Sequence, residues 1–164
     1  MTAVTARILG RATDAGFLGL EEDHVDVEWF DAGKPRLRLF SESGTEVRTM
    51  LPRGSFLAQG SVLLAQDDRM VVVRRKPAPA CRVAFDDNAP AQSTREEAAL
   101  VAHAAGNQHI PIDPYAGELR MPVLTSDAVM AKTLGSLGLK TASFSFGMLP
   151  LFLFRPPSGT GHAP

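Results

Sequence analysis

Apolar and polar residues alternate through much of the first half of the chain. Arg36-Leu37-Arg38-Leu39-Phe40 puts every second side chain on one face, Ser41 to Gly44 supplies turn residues, and Thr45 to Leu51 resumes in extended style; this pattern predicts a hairpin. A second pair, Ser61 to Ala65 and Met70 to Arg74, flanks Gln66-Asp67-Asp68-Arg69 and predicts another. Ala3 to Leu9 and Val25 to Phe30 predict two further strands. The stretch between them, with Gly16, Gly19 and the acidic Glu21 to Asp23, reads as loop. No helical stripe interrupts this part, so the first half is expected to be an all-β unit.

The character of the chain changes at Lys76-Pro77-Ala78-Pro79-Ala80, where two prolines in close succession favour a stiff extended connection. Beyond it the pattern predicts strands at Cys81–Phe85, His109–Ile112, Glu118–Val123 and Thr141–Phe146, and helices at Thr94–Ala105 and Ser126–Leu137. The order β-α-β-β-α-β is that of a ferredoxin-like domain, with both helices on one face of an antiparallel sheet. The expected class is therefore α+β: an N-terminal all-β domain over residues 1–76 and a ferredoxin-like domain over 80–150, followed by a flexible Pro/Ser/Gly tail at 155–164.

The first helix carries the most local information. Ser93-Thr94-Arg95-Glu96 has the form of a capping box and places the helix start near Thr94. Ala98, Val101, Ala102 and Ala105 form a stripe of small residues suited to close packing on a sheet. Gly106 stands where a left-handed cap is wanted. Pro111 lacks an N–H and steers Ile110 into extended backbone, so His109 lies between two rigid elements. In the second helix Met130, Leu134 and Leu137 share a face, Gly135 weakens the helix, and Gly138 stands at its cap.

Composition narrows the classes of function. The chain has 164 residues, enough for one ordinary domain or two small ones, with 45% hydrophobic and 21% charged residues. Seventeen basic against eighteen acidic residues give a formal charge of -1, which leaves no broad footprint for nucleic acid. Cys81 is the single cysteine; it excludes an internal disulfide and is expected to be a buried, inert thiol. The start of the chain lacks the form of a secretory signal and no segment reaches bilayer-spanning length, so a cytoplasmic location is expected. No nucleophile elbow, phosphate-binding Gly-Lys loop or paired zinc-hydrolase motif occurs, and carboxylate pairs such as Asp86-Asp87 and Glu96-Glu97 read as solvated charges. A non-enzyme is expected.

Four histidines remain: His24, His103, His109 and His162. None form a paired ligand motif, so one chain alone does not spell a metal site. His24 reads as a solvated residue of the acidic loop, and His103 as a surface or interface residue on the helix face away from the alanine stripe. Taken alone, His109 reads as an ordinary half-buried histidine.

Gly106-Asn107, His109 and Pro111 resemble the Leu-Gly-Asn-Arg-His-Val-Pro segment of the UreE family of urease accessory nickel metallochaperones. Thr45-Glu46-Val47-Arg48 leading into Leu51-Pro52-Arg53-Gly54, with Leu57, Gly60 and Val62-Leu63-Leu64, is similar to the family's N-terminal domain. Gly117-Glu118-Leu119-Arg120 and Leu137-Gly138-Leu139 match further on, so the likeness runs from about Asp23 to Phe146. The resemblance implies a homodimer in which His109 from each subunit binds nickel (Ni2+) on the twofold axis, with Zn2+ or Cu2+ as competing ions and His162 as a further ligand from the tail. It implies delivery of nickel to the urease apoprotein and its accessory complex, including a GTPase, with the N-terminal domain as docking surface. The chain departs from the family pattern at Ala105 and Gln108 and at Ala128, where the family has histidine. It departs again at Gly147 to Leu151, which replaces an acidic segment. These departures, with the apolar run Met148 to Phe154, frame an alternative: a relative that keeps the fold as a metal-independent interaction module. RNA binding through the ferredoxin-like sheet is a third reading, which Phe85 alone among exposed-face aromatics would serve.

Overall fold

The computed structural model describes residues 4–153, which fall into two compact units, 4–76 and 77–153. The first unit holds seven strands: β1 (Val4–Ala6), β2 (Gly10–Arg11), β3 (Glu21–Val27), β4 (Arg36–Phe40), β5 (Glu46–Met50), β6 (Ser61–Gln66) and β7 (Arg69–Arg75). They make two sheets, ordered β1-β5-β4 and β2-β6-β7-β3. Alternation turns Leu37, Leu39 and Val47 of the first sheet toward Val25, Val27, Leu63, Val71 and Val73 of the second, and Leu57 completes this core. Met70 and Val72 point the other way, into a smaller cluster with Val62, Ala12, Phe17 and Leu20. Strand β7 is thus covered on both faces, which is why it reads as an unbroken Met-Val-Val-Val run.

Three expectations for this unit are corrected. The segment Ala3–Leu9 is not one strand: β1 pairs with β5 in the first sheet and β2 with β6 in the second, with residues 7–9 crossing between them. Glu21 to Asp23 are strand, not loop, and β3 ends at Val27 rather than Phe30. The strand runs parallel to β7, in register Glu21↔Arg69 through Val27↔Arg75. Glu21 pairs with Arg69 Nε at 3.1 Å and Asp26 with Arg74 Nε at 2.6 Å. An acidic strand is stabilised by arginines 48 residues away, a partnership that local pattern does not contain.

The second unit runs β8 (Pro77–Phe85), α1 (Ala91–Asn107), β9 (Asp113–Tyr115), β10 (Glu118–Pro122), α2 (Asp127–Gly135) and β11 (Ala142–Pro150). Its sheet order is β11-β8-β10-β9 with every neighbouring pair antiparallel, the ferredoxin-like arrangement. Val101 and Ala105 of α1 and Met130 and Leu134 of α2 pack on Cys81, Val83 and Met121 of the sheet. The proline-rich stretch is the first part of β8 rather than a connection: Pro77 pairs with Pro150 and Pro79 with Met148. Val123 N–H donates to Pro79 C=O at 2.9 Å, so Pro79 turns its nitrogen toward β10, as does Pro77 two residues earlier. Backbone groups alternate sides along an antiparallel strand, so the β8–β11 ladder needs no N–H from either.

Helix α1 begins at Ala91 after Pro90, with no side-chain cap, so Ser93 to Glu96 lie inside it and do not form a capping box. Its buried face is Glu97, Val101 and Ala105, whereas Ala102 is exposed. The buried Glu97 carboxylate accepts from Lys140 N–H at 2.8 Å, from Thr141 N–H at 3.0 Å and from Thr141 Oγ1 at 2.8 Å. It thereby fixes the chain entering β11. The Lys140 N–H, then the Thr141 hydroxyl and N–H, outweigh burial and hold the Glu97 carboxyl below the usual glutamate range.

A carboxyl whose folded pKa is depressed contributes stability above its unfolded pKa and loses it as pH falls through the folded value. Glu97→Gln is therefore expected to lower the urea midpoint at pH 7, and the gap from wild type should close as pH falls below the ordinary glutamate value of 4.5. Urea titrations of both proteins at pH 7, 4.5 and 3 check this; a gap that stays constant with pH refutes it.

Candidate metal site at the end of the first helix

Helix α1 passes through Gly106, which is not left-handed, and ends two residues later than the expected cap, with Gln108 as C-cap. The left-handed position falls on His109, at φ 55°. Its N–H donates to Gly106 C=O at 3.0 Å, and Ile110 N–H donates to Ala105 C=O at 2.9 Å. This is the paired bonding of a Schellman turn. Its apolar contact is also present, because Ile110 folds back onto the cluster that contains Ala105. The expected strand at His109–Ile112 does not form: the turn uses the first residues, Pro111 offers no N–H, and pairing starts at Asp113.

His109 is exposed, and its imidazole has no hydrogen-bond or ion-pair partner among the described residues. The imidazole is therefore unengaged on a hydrogen-bonded helix end, unlike a half-buried structural histidine. Gln108 Nε2 donates to Thr133 Oγ1 at 3.2 Å, and Thr133 Oγ1 donates to Val129 C=O at 3.2 Å, which ties the turn to α2. The pocket below, between Ala105, Ile110, Met121 and Met130, holds only about 10 Å³. The space under this turn is too small to take a ligand.

The other candidate ligands lie elsewhere or are engaged. His103 is exposed on α1 and accepts from Asn107 Nδ2 at 3.1 Å. His24 is in strand β3, not in a loop, with Nε2 3.1 Å from Glu22 and Nδ1 3.9 Å from Glu42. Ala128 is exposed on the first turn of α2, whose Ser126 cap accepts from Val129 N–H. Buried Glu118 is held between Arg120, at 2.6 Å, and Arg82. Burial raises its pKa, but hydrogen bonds from Arg120 and Arg82 outweigh that and leave it lowered. Cys81 is fully buried, and burial, then the charge of Asp127, push its thiol up to about 11. His162 lies outside the described residues. No group of three or more His, Cys, Asp or Glu side chains is arranged to hold a metal among the described residues.

Residues 5–76 match the model of the UreE urease accessory protein, N-terminal domain. The chain is 31% identical over 119 residues to the urease accessory protein UreE of Acetivibrio thermocellus, covering 73% of each chain. The chain belongs to the UreE urease accessory protein family. It is also 33% identical over 106 residues to the UreE protein of Ralstonia nicotianae, and 34% identical over 126 residues to that of Burkholderia lata. Those alignments take in 65% and 77% of this chain but only 46% and 53% of the relatives' lengths. UreE proteins are accessory factors, not enzymes. Among the described residues, no helix of this member is long and apolar enough to cross a membrane. The run Met148 to Leu153 is not an exposed apolar patch either: Met148 is exposed, whereas Leu149 and Pro150 finish β11 half-buried and Leu151 is fully buried. Phe154, the last residue of the expected run, lies outside the described residues.

Two outcomes follow. A side chain in the left-handed region costs about 1–2 kcal/mol relative to glycine, less for histidine, which tolerates the region better than most. His109→Gly is expected to raise unfolding stability by about 1 kcal/mol, measured by urea denaturation; a loss of stability overturns the turn assignment. Cys81 is expected to resist alkylation at pH 8 in the native protein and to react at once in denaturant, followed by mass spectrometry.

Proposed function

We propose that this UreE-family protein is a nickel metallochaperone that binds one nickel ion between two copies of the chain, through His109 of each. The observation that carries this reading is the unpartnered, solvent-facing imidazole of His109 on a rigid helix end. Neutral imidazole suits nickel and other borderline divalent ions, Zn2+ and Cu2+ included. One chain supplies a single ligand here, and an isologous interface doubles it, because the same patch meets itself across a twofold axis. The second unit is then the metal-binding and dimerising domain, and His162 from the end of the chain is a further ligand. A site with few protein ligands keeps open positions, so nickel leaves by ligand exchange to the urease apoprotein and its accessory complex, including the GTPase. The first unit is the docking domain, and the protein works in the cytoplasm.

Calorimetric nickel titration with light scattering tests this on the full chain. The expected result for wild type is one nickel per two chains, with binding lost in His109→Gly and weakened in His162→Ala. His109→Gly is the informative variant because its fold is expected to gain stability, so lost binding cannot be put down to unfolding. Unchanged nickel uptake in His109→Gly overturns the assignment. A wild-type dimer that takes up no nickel leaves the metal-independent interaction module as the reading.

A further inference from the structure

Charges on the two sheets of the first unit are arranged differently. On β3 and β7 the arginines meet carboxylates: Arg69 pairs with Glu21, and Arg74 with Asp26 and Glu42. On the β1-β5-β4 sheet, the alternation that buries Val47 and Thr49 and half-buries Leu37 and Leu39 leaves Arg36, Arg38 and Phe40 outside. Arg48 and Met50 of β5 share that outer face. Arg38 stands directly opposite Arg48, and Arg36 opposite Met50. Like charges directly opposite repel, and one carboxylate relieves them. Glu46 Oε1 accepts from Arg38 Nε at 2.9 Å and from Arg48 Nε at 2.8 Å, while its Oε2 accepts from Arg38 Nη2 at 3.2 Å. Arg7 and Arg36 have no ion-pair or hydrogen-bond partner among the described residues, and with Met50 and Pro52 they line an open depression of about 720 Å³. Met50 beside them, and Phe40 at the other end of β4 under the Arg38 guanidinium, are each more than half exposed.

We propose that this arginine face docks an extended, carboxylate-rich segment of a partner protein. Side chains on one face of a strand recur about every 7 Å, the spacing of alternate residues in an extended peptide, so a segment with acidic residues at every second position presents one carboxylate to the unpartnered Arg36 and the next to Nη1 of Arg38, the guanidinium nitrogen that Glu46 does not use. Guanidinium forks hold carboxylates by paired, planar hydrogen bonds, and Arg38 already does this with Glu46. Met50, opposite Arg36, and Phe40, beyond Arg38 at the end of β4, offer apolar contact at the two ends of the charged row. The arginines of this face sit on or just beside three short strands with Glu46 among them, which is not the extended positive track that a polynucleotide follows. This inference rests on the docking role proposed for the first unit and gives it a location and a partner chemistry; it does not involve nickel.

The test is fluorescence anisotropy with the full-length protein and a fluorescein-labelled octapeptide alternating glutamate and leucine. The Arg7→Glu/Arg36→Glu double variant is compared with wild type and with Arg95→Glu, an exposed arginine of the second unit. Wild type and Arg95→Glu are expected to bind alike, and the double variant about tenfold or more weakly, with binding fading as salt rises. The inference is overturned by wild type that ignores the peptide, by equal binding to the double variant, or by equal binding of a glutamine-leucine control. It is overturned too by a single-stranded oligonucleotide of equal charge that outcompetes the peptide. Arg7 and Arg36 lie outside the proposed metal site, so nickel titration of the double variant should match wild type. Peptide docking and nickel binding thus fail or stand separately.

Discussion

Strand β8 is hydrogen-bonded along both edges, and the second unit is assembled from it. Its nine residues pair throughout with β11 on one side, and its central residues pair with β10 on the other. Both helices pack on the face that carries Cys81 and Val83. The three prolines at the far end of the β8–β11 ladder all fall where no N–H is needed, so the pairing continues to Pro77 and Pro150. Glu97 adds a side-chain fastening from α1 to the start of β11. With Glu97 tied to the chain entering β11, Val101 and Ala105 packed on the sheet and Gln108 bonded to α2, the helix has little freedom to slide, and the residues at its C-terminus are held with it.

The exposed histidine depends on this frame. Ile110 is drawn into the core and Gln108 is bonded to α2, so the chain must reverse between them, and His109 takes the left-handed backbone that the reversal requires. Glycine does this at lower cost. Backbone strain held in place by surrounding contacts is common where a side chain has work to do, and here the strained residue carries the one unpartnered imidazole of the turn. Under the proposed function the same geometry serves exchange: the ligand is held in position, while a single chain provides too few donors to retain the ion.

The first unit uses arginine in two ways, and strand register decides between them. In the parallel β3–β7 pair, Glu21 and Asp26 stand opposite Arg69 and Arg74, and the charges cancel locally. In the antiparallel β4–β5 pair, Arg38 stands opposite Arg48, and one glutamate serves both. The first arrangement holds a sheet together, and the second leaves guanidinium groups facing outward.

Much of this architecture was legible in the chain. Period-two alternation marked β4 and β5, periodicity of three to four marked both helices, and their order pointed to the ferredoxin-like arrangement, because these signals come from each residue's own preference and its near neighbours. The motif around His109 singled out that residue before any fold was known. What local pattern misread were positions settled by distant partners. Glu21 to Asp23 became strand because arginines of β7 meet the acidic face, Pro77 and Pro79 joined β8 because their nitrogens turn from the ladder, and Ser93 to Glu96 fell inside a helix that starts earlier. Gly106 looked like the cap, yet the left-handed residue is His109, since only the packed core decides where Ile110 must enter. Composition and periodicity thus determined which elements exist and in what order; register, the true end of α1 and the exposure of His109 were decided by tertiary contacts, whose energies depend on residues far apart in the chain.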